Sequence, residues 1–89
     1  MPSAVKNSVT FACGKDEAPL HIQLEPEALL FKVLPGNEIS FVGEGDTSTV
    51  EWVMRFYQAE NLVQLFPEGP YDITIYENGE VLADWWKYM

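Results

Sequence analysis

The stretch Thr47-Ser48-Thr49-Val50-Glu51-Trp52-Val53-Met54-Arg55-Phe56-Tyr57-Gln58-Ala59-Glu60-Asn61-Leu62-Val63-Gln64-Leu65-Phe66 decides the fold class. As a strand, it puts Val50, Trp52, Met54 and Phe56 on one face and Glu51, Val53, Arg55 and Tyr57 on the other, because side chains alternate along a pleated chain. Gln58-Ala59-Glu60-Asn61 then turns the chain into 62–66. As a helix, it has Ser48 as N-cap and Glu51 as the capping-box partner. Val50, Val53, Met54 and Tyr57 then match the i, i+3, i+4, i+7 template, and Glu51 precedes Arg55 by four positions. Both periods fit. Residue type favours the strand, since valine, threonine and the aromatics suit a pleated surface.

The flanking sequence points the same way. Turn signals stand at Cys13-Gly14-Lys15-Asp16, Glu25-Pro26-Glu27, Pro35-Gly36-Asn37, Gly43-Glu44-Gly45-Asp46, Pro67-Glu68-Gly69-Pro70 and Asn78-Gly79. A spacing of roughly 8–12 residues between turns suits a series of short strands. Segments 8–13, 20–24, 29–34, 38–42, 71–76 and 81–86 fill the intervals. In 20–24, Leu20, Ile22 and Leu24 alternate with His21 and Gln23. In 29–34, Leu29, Phe31 and Val33 oppose Leu30, Lys32 and Leu34. Pro35-Gly36 suits the centre of a type II turn, where proline presets φ and glycine accepts φ > 0. Asn78-Gly79 is a hairpin signal, because both central residues of a type I′ turn need φ > 0. The expected fold is a small antiparallel β-sandwich or barrel of about seven or eight strands. The alternative is an α+β fold, with one helix at about 48–60 lying on an antiparallel sheet. The chain makes one domain over residues 1–89, with 1–6 expected as a flexible tail.

Charge narrows the function. The chain has 5 Lys and Arg against 14 Asp and Glu, a formal net charge of −9. Residues 1–35 set Lys6, Lys15 and Lys32 against Asp16, Glu17, Glu25 and Glu27. Residues 36–89 set only Arg55 and Lys87 against Glu38, Glu44, Asp46, Glu51, Glu60, Glu68, Asp72, Glu77, Glu80 and Asp84. Such a field repels phosphate backbones and anionic headgroups, so neither nucleic acid nor a membrane is an expected partner. It attracts basic protein surfaces. No run reaches the ~18 apolar residues of a membrane span. The opening residues, with one Lys and no apolar stretch, do not resemble a signal peptide. A lone Cys13 fits a reducing cytoplasm.

No constellation of residues calls for catalysis, and no cofactor is expected. Cys13 and His21 are the one thiol and the one imidazole, and no third group completes a nucleophile–base set. They read more simply as a small buried hydrophobe and a strand histidine facing water. Gly43-Glu44-Gly45-Asp46-Thr47-Ser48 offers oxygens of the kind that hold Ca²⁺, without EF-hand spacing, and reads more simply as a solvated hairpin loop. No phosphate-loop pattern occurs.

The aromatics are more informative. Adjacent strand residues point to opposite faces, so only one of Trp85 and Trp86 faces a core. The other, with Tyr88, is a protein-contact anchor or a cap on the sandwich edge. The leading expectation is a non-catalytic module that docks acidic residues on a basic partner, as an inhibitor or assembly factor would. Its contact residues are Trp85, Trp86, Tyr88, Glu77, Glu80 and Asp84. The second is a small-ligand or carbohydrate-binding β-domain using Trp52, Tyr57, Tyr76 and the terminal aromatics. Open strand edges make a homo-oligomer compatible with either.

Overall fold

Turn chemistry sets where the strands begin and end. The Asn37 amide donates to the Leu34 carbonyl at 3.0 Å, which closes a turn around Pro35-Gly36 with Gly36 at φ +87°. Asn78 and Gly79 sit at φ +53° and +84°, both positive as a type I′ hairpin requires. Asn61, at φ +51°, ends the loop after the contested strand. Its side-chain amide donates to the carbonyls of Pro19 at 2.7 Å and Ala18 at 3.2 Å. That loop is thereby tied to the segment leading into residue 20.

The computed structural model describes residues 5–26, 28–45, 51–68 and 72–82. Eight strands follow in order: β1 Val5–Ala12, β2 Leu20–Leu24, β3 Leu29–Val33, β4 Glu38–Gly45, β5 Glu51–Tyr57, β6 Leu62–Glu68, β7 Asp72–Glu77 and β8 Glu80–Val81. They form two four-stranded sheets. The front sheet runs β1-β4-β7-β8 and the back sheet β3-β2-β6-β5. The fold is all-β, and the segment that decided between two classes is a strand pair. Met54 opposes Leu65 and Tyr57 opposes Leu62, with a 3-10 turn at Gln58–Glu60 between them.

The inner faces alternate as a sandwich requires. β3 alternates buried and exposed from Leu29 to Val33, and β4 buries Ile39 and Phe41. Phe41 of the front sheet meets Phe31 of the back sheet edge-on, with centroids 5.6 Å apart, and Phe11 at 6.1 Å. These rings join the two sheets, with Ile22, Leu65 and Ile75 packed around them. The Cα radius of gyration is 13.4 Å. A single domain of this length is expected near ~12 Å.

Three details depart from the sequence reading. Most pairings are antiparallel, but β2 and β6 run parallel, with Ile22 opposite Val63. The crossover that a parallel pair needs is supplied by the path through β3, β4 and β5, in which the chain leaves the back sheet at β4 and returns to it at β5. β4 runs through Gly45, so Gly43-Glu44-Gly45 is strand and not turn. Both glycines are buried, where β4 faces the other sheet. Finally, β1 starts at Val5, inside the segment expected as a tail: Val5 and Lys6 pair with Gly45 and Glu44. Residues 1–4 lie outside the described residues.

Candidate functional site

Register gathers carboxylates on the front sheet. Glu77 faces Glu80 across the β7–β8 hairpin. Ile39 faces Glu77 from β4, which brings Glu38 beside the same hairpin. The Glu38 amide donates to Asn78 Oδ1 at 2.9 Å, and the Asn78 amide donates to the Glu38 carbonyl at 3.0 Å. The hairpin tip is thus clamped to the start of β4, with Glu38, Glu77 and Glu80 all exposed. An open cleft of about 370 Å³ lies there, lined by Glu77, Asn78, Glu80, Val81 and Leu82. Lys32 of β3 shares a smaller cleft with Glu38 and Glu77.

At the other end of the sheet a second acid pair lies on the opposite face: Glu44 and Asp72 share the outward parity of Ser40 and Thr74, whereas Glu77 and Glu80 share that of the buried Ile39 and Ile75. Glu44 faces Asp72, with Lys6 on the other side of Glu44 in register. The front-sheet strands therefore set Lys6 against Glu38, Glu44, Asp72, Glu77 and Glu80. The back-sheet strands balance Lys32 and Arg55 against Glu51 and Glu68. Like charges directly opposed across strands destabilise a sheet, by roughly 0.2–1 kcal/mol in a host protein and less at a solvated surface. Acid opposite acid recurs at Glu77–Glu80, Glu44–Asp72 and Glu51–Glu68.

Of the contact residues expected from sequence, Glu77 and Glu80 are brought together. Asp84, Trp85, Trp86 and Tyr88 lie outside the described residues. The remaining aromatics do not gather. The half-buried Trp52 donates its indole N–H to Asn7 Oδ1 at 3.0 Å, which links β5 to β1 across the sandwich. Tyr57 lies in β5 of the back sheet, where its hydroxyl donates to Gln64 Oε1 at 2.9 Å. Tyr76 lies on the front sheet opposite Ser40.

Cys13 is buried, and its thiol donates to the Ala18 carbonyl at 3.3 Å. His21 stands in β2 between Lys32 of β3 and Leu62 of β6. Asp46, Thr47 and Ser48 of the Ca²⁺-like run lie outside the described residues. Among the described residues, no group of His, Cys, Asp and Glu is placed to hold a metal ion, and no helix is long and apolar enough to cross a membrane.

One surface escaped the sequence reading. At the end of β5 an apolar cleft of about 150 Å³ opens between Phe11, Leu20, Phe56, Tyr57, Leu62 and Val63. The signal was present in the apolar residues on both faces of 51–57, which a strand buried on one face does not need.

The chain matches no protein-family model, no curated protein and no solved structure.

Proposed function

We propose that this domain is a non-catalytic protein-binding module whose acidic front sheet docks on a basic surface of another protein, in the cytoplasm. The observation that supports this reading is the acid-opposite-acid pairing of Glu77 with Glu80 at the β7–β8 hairpin, with Glu38 beside it. Stability does not ask for such pairs. A cationic partner turns the Glu77–Glu80 pair from a cost into a two-point attraction. The clamped hairpin holds the backbones at Glu38, Glu77 and Glu80 in fixed relative positions, so little backbone order has to be gained on binding. Asp84, Trp85, Trp86 and Tyr88 follow β8 in sequence and extend the contact in this reading, with one indole as anchor.

The test is affinity capture from a lysate of the organism that encodes the chain, washed at low and high salt. One dominant basic protein, retained at low salt and released at high salt, is expected. The Glu77→Lys/Glu80→Lys double variant loses it, and Trp86→Ala weakens it. Retention that ignores both salt and charge reversal overturns the reading. The carbohydrate-binding alternative has less support, because Trp52, Tyr57 and Tyr76 lie on separate surfaces.

A further inference from the structure

The back sheet ends on β5, and among the described residues no strand pairs with its far side. β5 has seven residues and leaves Val53, Met54, Phe56 and Tyr57 exposed. Phe56 is 68% exposed, although Val63, directly opposite it, is 3% exposed. Open backbone groups beside apolar side chains form a template for another strand. The other edges carry the usual guards. β3 has Lys32, β1 has Lys6, and β8 is two residues long. β5 has neither lysine nor proline, and its Glu51 and Arg55 balance within a chain of net charge −9. It is the edge that a second copy approaches with least repulsion.

We propose that β5 pairs antiparallel with β5 of a second copy, about a two-fold axis at Val53, and joins two back sheets into one. In an antiparallel pair, directly opposed residues are both hydrogen-bonded or both not, so a strand meeting its own copy needs its axis through a residue. An axis at Val53 sets Glu51 against the partner's Arg55 and Trp52 against the partner's Met54. An axis at Met54 sets Glu51 against Tyr57 and Val53 against Arg55, which matches no charges. Charge complementarity selects Val53. Glu51 already faces Glu68 in its own chain, so the incoming guanidinium meets two carboxylates. The contact is isologous, and each Glu51–Arg55 pair occurs twice.

Sedimentation equilibrium of the full chain over a concentration series tests this. The expected mass is twice 10.1 kDa. Val53→Lys sets two lysines together on the axis, and Arg55→Glu sets glutamate against glutamate. Each weakens self-association severalfold. The Glu51→Arg/Arg55→Glu double variant restores it, because the swapped charges still face each other. All three side chains are exposed, and thermal melts confirm that the variants fold. Val53→Cys forms an interchain disulfide on oxidation and Tyr57→Cys does not, since opposed Cα atoms lie within bridging distance only at the axis. A chain that stays at 10.1 kDa throughout overturns the proposal. A dimer indifferent to Val53→Lys and Arg55→Glu, or a double variant that stays monomeric, overturns it too.

Discussion

At the scale of single residues, Phe41 carries the most weight, because it touches rings in its own sheet and across the core. Phe41→Ala is expected to cost about 3–5 kcal/mol in a urea titration. A chain of this length has roughly 4–13 kcal/mol in all, so the variant lies near the limit of folding. Trp52 shows how a polar contact locks an edge. Its indole N–H bridges to Asn7 at 3.0 Å, beside the buried Gly43 that faces Asn7 in register. Trp52→Phe is expected to cost about 1 kcal/mol, the net value of one hydrogen bond, again read in urea. Cys13 is a packing residue: its buried thiol is held to the Ala18 carbonyl, so it should react slowly with an aromatic disulfide reagent until denaturant is added.

At the scale of elements, the β7–β8 hairpin holds stability and contact chemistry in opposition. Glu80→Lys removes a like-charge pair and is expected to raise the melting midpoint slightly, by the equivalent of a few tenths of a kcal/mol. The same change should weaken capture of the partner, so the two assays move in opposite directions. The hairpin was legible in the sequence because Asn78-Gly79 fixes its turn, and the turn alone places Glu77 opposite Glu80. β2 and β3 were legible for a related reason: each alternates against one buried face between clear turn residues. β5 resisted because it is apolar on both sides, so a period of 3.6 finds as many apolar residues as a period of 2. That ambiguity is itself the signature of an edge strand that only Trp52 anchors to the core. Gly43 and Gly45 misled in another way. Composition marks them as turn residues, whereas they are inward positions of a strand that continues past them. The gathering of acids on one sheet was not legible, because it depends on the strand order β1-β4-β7-β8 and on no local pattern.

At the scale of the whole molecule, the two sheets differ in charge, and this separates the two kinds of contact by their response to salt. Docking of the front sheet on a basic partner should weaken as salt rises. Pairing of two chains of net charge −9 should instead tighten, since long-range repulsion is screened. Sedimentation and capture, each repeated at two ionic strengths, read these opposite slopes. The parallel pairing of β2 with β6 has a consequence for how the protein is made. Ile22 and Leu24 pair with Phe31 and Leu29 of the adjacent β3, but their neighbours on the other side are Val63 and Leu65. While the ribosome is still adding the middle of the chain, β2 has one open side, and the back sheet cannot close. Burial of the core must wait until β6 has emerged. Before then the chain is most open to proteases and to premature association with other chains.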